Sequence, residues 1–282
     1  MRRGLDIVMG CVAGGCLLAC LAISTGLVWS IARRGWGALS FSFFTEQIAL
    51  VGASGGIFWN LVGTTVLLST AFLACAPLAV SLALMERVWL RSESMKKALR
   101  LGLYTANGLP SIVFGLFGFL VFVQWCGWGK SWLAGGLVLA MSMLPTVTLV
   151  VLERMAAIPQ RYIAAATGLG LSQSRVAWAV LLKQSWGGLI SGSLLGLARA
   201  AGETAPIMFT ATIFAGVTFP KGVVENPVLT LPYHIFILAQ DSFAAGVETK
   251  MWGTALVLLG LVFSMSVAAL PSRLYLHEES DV

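Results

Sequence analysis

The sequence predicts an all-α integral membrane protein, from its composition and from six long apolar stretches. Of the 282 residues, 58% are hydrophobic and only 11% are charged, whereas soluble domains usually carry about 25% charged residues. A helix needs about 20 mostly apolar residues to cross a bilayer, and it satisfies its backbone hydrogen bonds within lipid. The predicted spans, which form one transmembrane domain over residues 1–282, cover residues 7–31, 57–84, 101–123, 132–152, 189–216 and 251–270.

The first stretch has a second interpretation, a cleaved signal sequence. Residues 1–3 (MRR) precede an apolar run, and residues 17–20 (LLAC) resemble a lipoprotein cleavage box. A cleaved signal has a short apolar region and then a polar mature start. Because apolar residues continue past Cys20 to Ile31, we interpret the segment as an uncleaved span.

The Lys and Arg residues between the spans predict that both termini lie in the cytoplasm. Cytoplasmic loops of membrane proteins carry an excess of Lys and Arg. The loops on the side of the N-terminus carry twelve of these residues, including Arg273, and the opposite loops carry five. Arg33 and Arg34 run against this trend locally.

The third predicted span is interrupted by residues 107–111 (NGLPS). Proline lacks a backbone donor, and its ring clashes with the preceding turn of a helix. A break in a membrane helix is either packed by neighbouring helices or lines a cavity. The sequence leaves both interpretations open, a packing kink and a part of a transport pathway.

Arg199 and Glu203 are the most informative residues of the fifth predicted span. Their spacing places them on one helix face, and each charge at bilayer depth costs at least about 2.5–3.5 kcal/mol. They are therefore expected to face protein or water, as a structural ion pair or as a substrate contact. A guanidinium grips two phosphate oxygens at once. A carboxylate accepts a hydrogen bond from hydrogenphosphate but not from sulfate, so the pair predicts a preference for phosphate.

Small residues repeat at every fourth position of the same span. Such a spacing lets a second helix approach closely. We expect a helix–helix interface along this stripe, which consists of Gly188, Gly192, Gly196 and Ala200.

The loop of residues 153–186 contains a predicted short helix. Pro159 suits a first helical position, the alanines that follow favour helix, and two glycines can end it. Such a helix can dock in a groove of a partner protein, although an ordinary connector fits the same pattern. The expected docking residues are Ala164, Ala165, Ala166, Gly168 and Gly170.

These elements together resemble ABC transporter permeases, and specifically the PstA-type permeases of phosphate importers. Residues 108–117 (GLPSIVFGLF) resemble that family's third-span motif, and residues 197–206 (LARAAGETAP) resemble its highly specific fifth-span motif. The resemblance covers most of the chain. Shorter matches lie in order at residues 56–57, 63–64, 144–145 and 231–236.

The resemblance implies a type I importer permease with a six-helix core in the inner membrane and a cytoplasmic coupling helix. It implies three kinds of partner: a second, similar permease subunit, two ATPase subunits and a phosphate-binding protein. It also implies that Arg199, Glu203 and Thr204 lie along the phosphate path. The chain has no G-x-x-x-x-G-K-[ST] phosphate loop, so ATP is expected on the partner ATPase. The chain itself is expected to be no enzyme and to bind no cofactor or metal.

The coupling loop departs from the family pattern of Glu-Ala-Ala, three residues and Gly. Aligned on Gly170, the Glu position is Ala164, and Lys183 stands where the family has a downstream proline. The departure implies weaker docking, an unusual ATPase, or coupling carried mostly by the partner permease.

Three other functions remain open at this point. A permease for molybdate or sulfate fits the fold, although the third-span and fifth-span motifs speak against it. A channel or secondary transporter needs no ATPase, which the weakened coupling motif allows. A membrane-embedded enzyme would need clustered ionisable residues at bilayer depth. The chain has only His234 and His277, and its five cysteines show no metal-ligand spacing.

Overall fold

The computed structural model describes residues 2–49, 54–214, 216, 219–240 and 246–271, and these residues are mostly helical. Arg273, Thr218 and His277 lie outside the described residues. A two-stranded antiparallel hairpin, β1 (Ile48–Ala49) with β2 (Ser54–Gly55), interrupts the helices. The helices are α1 (Arg2–Gly35), α2 (Phe41–Thr45), α3 (Phe58–Leu84), α4 (Glu93–Asn107), α5 (Ser111–Gly118), α6 (Trp132–Ala157), α7 (Gln160–Gly168), α8 (Gln173–Val176), α9 (Trp186–Ala201), α10 (Ala205–Thr210), α11 (Leu231–Gln240) and α12 (Val247–Ala268).

Four helical stretches in the described part of the chain are long and apolar enough to cross a membrane. They coincide with the first, second, fourth and sixth predicted spans, and the prediction of an all-α membrane protein is confirmed. The second includes a π-helical segment that continues α3. The four stretches are Met9–Ala38, Phe58–Trp89, Trp132–Ala157 and Val247–Ala268.

The third and fifth predicted spans are each built from two helices. Glu93–Asn107 and Ser111–Trp125 meet at an angle of 94° and form up to one further span. In the fifth, α9 ends at Ala201 and α10 begins at Ala205, where the sequence pattern predicted one helix. A count of six spans therefore stays a prediction.

The core of the protein forms where α3, α6 and α9 pack together. Leu67 of α3, Met143 and Val147 of α6, and Ala200 of α9 are all buried in one apolar cluster. Lipid tails are as apolar as these side chains, so van der Waals packing between the helices, and not removal from water, stabilises the cluster. The cluster fixes α9, and with it Arg199, relative to α6.

The small-residue stripe of α9 faces α6. A side chain on any of its three glycines would collide with α6 or press against it, so glycine is what permits the close approach. A Cβ added at Gly188 would collide with the Arg154 side chain. A Cβ added at Gly192 would lie 3.1 Å from Val150 Cβ, and one added at Gly196 would lie 3.0 Å from Val147 Cγ2.

The segment before α11 is bound to α3 by buried hydrogen bonds. The Asn60 side chain donates to the Thr230 carbonyl at 3.3 Å, and the Leu231 amide donates to Thr64 Oγ1 at 3.0 Å. His234 of α11 is buried, and burial lowers the pKa of its imidazole to about 4. Because this pKa lies well below 7, the His234 imidazole is neutral near pH 7 and does not change its charge there.

Candidate functional site

The break in the third span ends α4 at Asn107. The Gly108 amide donates to the carbonyls of Tyr104 at 3.2 Å and Thr105 at 3.1 Å, which closes the last turn. Pro110 has no N–H to continue the ladder, and α5 starts afresh after it. The proline thus turns one apolar stretch into two helices, with polar backbone and Asn107 at the corner.

The break in the fifth span lies at residues 202–204. The Gly202 amide donates to the Arg199 carbonyl at 3.0 Å, and the Glu203 amide donates to the Ala200 carbonyl at 3.1 Å. These tight contacts end α9, and Pro206 lies in the first turn of α10. Glu203 therefore lies just beyond the helix, not on its face as a continuous helix would place it.

The two breaks lie side by side because α5 packs on α10. A Cβ added to Gly115 would lie 2.9 Å from Pro206 Cα and 3.0 Å from the Ala205 carbonyl oxygen. Only glycine permits this backbone-to-backbone approach. The sequence placed the two motifs in different spans and held no direct sign that they meet.

Asn107 connects the breaks through a single amide oxygen. Its Oδ1 accepts a hydrogen bond from Arg199 Nη1 at 3.0 Å and another from Thr146 Oγ1 at 2.8 Å. Thr146 follows Pro145 inside α6. One side chain therefore joins α4, α6 and α9. Thr146 was not among the predicted site residues, although it directly follows the motif residues 144–145 in the sequence.

Arg199 and Glu203 remain together despite the break. Arg199 Nε lies 3.5 Å from Glu203 Oε1, and the side chains are 39% and 16% exposed. A guanidinium has five N–H donors, and among the described residues only Asn107 and Glu203 engage them. Several donors of Arg199 thus remain open to an oxyanion.

Thr204 and Lys130 hold α10 from its two ends. The Thr204 carbonyl accepts from the Met208 amide at 3.0 Å at the first turn. At the other end, Lys130 Nζ donates to the carbonyls of Met208 at 3.0 Å and Thr212 at 3.2 Å. A cation at a helix C-terminus is favourable, and burial lowers the pKa of Lys130. Lys130 entered the sequence reasoning only as a loop charge.

Four of the predicted docking residues lie in α7, which follows Pro159, and Gly170 lies two residues after its end. Ala166 is buried, whereas Ala164, Ala165 and Gly168 are exposed. Gly170 has a φ of +78°, a left-handed conformation that favours glycine after a helix. The predicted docking residues that are exposed are therefore all small.

A protein-family model matches this chain over residues 76–274, more than half of its length. The model describes the inner membrane component of binding-protein-dependent transport systems. The chain belongs to this family. The family is one of ABC transporter permeases of the inner membrane, which confirms the predicted resemblance and location.

Curated relatives of this permease cover nearly its whole length. It is 28% identical to a probable ABC transporter permease, YqgI of Bacillus subtilis, over 93% of both chains. It is 28% identical to the phosphate transport system permease PstA of Pasteurella multocida, over 86% of this chain and 87% of that one. It is 30% identical to PstA 1 of Mycobacterium tuberculosis, over 86% of this chain and 80% of that one.

Solved structures share the fold of this permease. A bacterial alginate ABC transporter, solved with an alginate-bound periplasmic protein, matches 94% of this chain and 93% of its own with a TM-score of 0.59 at 11% identity. The MetNI methionine ABC transporter matches 77% of this chain and 93% of its own with a TM-score of 0.57 at 17% identity. ATP hydrolysis in such transporters belongs to a subunit other than the permease.

Proposed function

We propose that this permease is the membrane-spanning subunit of an ATP-driven importer that carries inorganic phosphate across the inner membrane. The observation that carries the proposal is the partly exposed Arg199 guanidinium, held by Asn107 at the junction of two broken helices. The phosphate permeases among the relatives support the same substrate.

Arg199 is suited to bind phosphate because its position is already fixed. Asn107 Oδ1 holds one of its N–H groups, and Thr146 holds Asn107 in turn. A guanidinium fixed in this way loses little side-chain entropy when it binds a ligand. Its open edge can then bind two phosphate oxygens in a bidentate manner.

Glu203 gives the site a way to distinguish oxyanions. At 3.5 Å its carboxylate is close to Arg199 Nε but beyond the usual length of a charge-assisted hydrogen bond. The carboxylate can therefore accept a hydrogen bond from the O–H of hydrogenphosphate beside the cation. Sulfate has no proton to donate at neutral pH and meets only repulsion from Glu203.

The partners in this proposal are a second, similar permease, two ATPase subunits and a phosphate-binding protein. The α7 helix is the element that docks on the ATPase, through Ala164, Ala165 and Gly168. Two exposed large side chains, Tyr162 in α7 and Leu169 directly after it, add apolar area to the same surface.

The test is phosphate-dependent ATP hydrolysis by the complex reconstituted in lipid vesicles. Arg199→Ala should abolish the stimulation by phosphate-loaded binding protein while the subunits still assemble. Arg33→Ala, which removes an exposed arginine near the end of α1, is the matched control and should leave the stimulation unchanged. Full stimulation of the Arg199→Ala complex would refute the assigned role of Arg199.

A further inference from the structure

Charged side chains line an open cavity where the end of α3 meets the start of α4. Its volume is about 350 Å³, within the range of roughly 300–1,000 Å³ found for small-molecule sites. It lies at the opposite end of α4 from Asn107, on the predicted cytoplasmic side. Every lining residue is charged: Glu86, Arg87, Glu93, Lys96, Lys97 and Arg100.

Glu86 and Arg100 form the fixed wall of this cavity. The Glu86 side chain is 3% exposed, and its Oε1 accepts from Arg100 Nη2 at 2.6 Å and from Arg100 Nε at 2.7 Å. Glu86 Oε2 is also buried, and no described residue donates a hydrogen bond to it. An unbonded buried carboxylate oxygen is costly, and the charge-assisted bonds from Arg100 to Oε1 offset part of that cost.

The backbone presents Glu86 in an unusual way. Glu86 lies in the π-helical segment Met85–Trp89, which continues α3. Such segments are rare and occur frequently at functional sites.

Because Nε and Nη2 of Arg100 both bond Glu86, Nη1 is left for a ligand.

The charges of the cavity do not balance. Glu93 pairs with Lys96 at 2.8 Å and Glu86 pairs with Arg100. Arg87 and Lys97 have no carboxylate partner within the described ranges. Four cations thus face two carboxylates, and the excess of two positive charges matches a phosphoryl group, which carries about −1.5 to −2 at pH 7.

We propose that this cavity binds a phosphoryl group that is a monoester or a free ion, supplied either by the headgroup of phosphatidic acid at the membrane surface or by free phosphate. Arg87 and Lys97 neutralise the ligand, and Arg100, oriented by Glu86, contributes the directional donor. This site is separate from the Arg199 path and does not depend on which substrate the permease carries.

The test measures binding to the full chain in phosphatidylcholine nanodiscs, with Arg199→Ala present in every sample to remove the other phosphate contact. One arm uses equilibrium dialysis with radiolabelled inorganic phosphate. The other adds phosphatidic acid and quantifies the lipid retained by the protein. Binding in the first arm identifies free phosphate as the ligand, and binding in the second identifies the headgroup.

The double variant Arg87→Gln with Lys97→Gln leaves the buried Glu86–Arg100 pair intact. It should weaken binding about tenfold, equivalent to 1.4 kcal/mol. The control, Arg91→Gln with Arg175→Gln, removes two exposed charges outside the cavity and should bind as the parent does. No binding in either arm, or an equal loss in the control, would overturn the proposal.

Discussion

Asn107 Oδ1 lies 3.0 Å from Arg199 Nη1, so the end of α4 and the end of α9 meet at one hydrogen bond. The residue at the break of one span thereby holds the cation of another. The interruption at residues 107–111 is thus packed against a neighbouring helix and also bears on the charged site. The packing interpretation is thus supported, and a part in a transport pathway stays a prediction.

Asn107→Ala should impair transport without unfolding the protein. The change removes the acceptor shared by Arg199 and Thr146, and a hydrogen bond to a charged group contributes about 1.5–3 kcal/mol. We expect phosphate-stimulated ATP hydrolysis to fall roughly tenfold or more. Thr105→Ala, an exposed change on the same helix, should retain the wild-type rate. Equal rates for both variants would contradict the holding role of Asn107.

Glu203→Gln should reduce discrimination between phosphate and sulfate. The carboxamide keeps the size of the side chain, but it removes the negative charge. It also adds N–H groups that can donate hydrogen bonds to the sulfate oxygens. Sulfate should then inhibit phosphate-stimulated ATP hydrolysis at lower concentration than in the wild type. Glu248→Gln, which alters the exposed pair with Arg34, is the control. If sulfate inhibits the Glu203→Gln complex no more strongly than the wild type, Glu203 does not distinguish the two anions by accepting a hydrogen bond from hydrogenphosphate.

Gly115→Ala should separate α5 from α10. The new Cβ would lie 2.9 Å from the Pro206 backbone, and overpacking of this kind typically costs about 1–3 kcal/mol. The melting temperature in detergent should fall. Gly102→Ala on α4 is the matched control, because a Cβ there meets nothing within 4 Å, and alanine in a helix is favoured by up to about 1 kcal/mol. A melting temperature that falls equally in both variants would contradict the contact.

Ala164→Glu should increase the coupling between this permease and its ATPase. Ala164 is exposed on α7, so a carboxylate there reaches the docking surface without displacing a neighbour. It restores the residue that the family pattern has at this position. We expect a higher maximal ATPase stimulation, with Thr167→Glu on the same helix as control. No change in Ala164→Glu would show that position 164 contributes little to docking.

Composition and hydropathy were enough to predict the membrane fold, because lipid imposes length and apolarity on every span. The break at residues 107–111 was also predictable, since proline acts locally. The second break, at residues 202–204, was missed. Pro206 was a local signal for it, because its ring clashes with the carbonyl four residues earlier in a continuous helix.

The partners of Arg199 and Glu86 were beyond the reach of the sequence. Asn107 precedes Arg199 by 92 positions, and only the tertiary fold decides which polar side chain meets the guanidinium. Glu86 has the appearance of an ordinary loop charge in the sequence. It lies buried in a π-helical segment, which no periodicity of apolar residues signals.

The helix α4 carries Arg100 at its middle and Asn107 at its end, seven residues apart, or about 10 Å along its axis. Its last residue contacts the cation of the proposed substrate path, and its first turns contact the phosphoryl cavity. A rigid helix cannot tilt at one end without moving the other. α4 thus links the two proposed binding sites, so a ligand that shifts its first turns also shifts Asn107 and its hydrogen bond to Arg199.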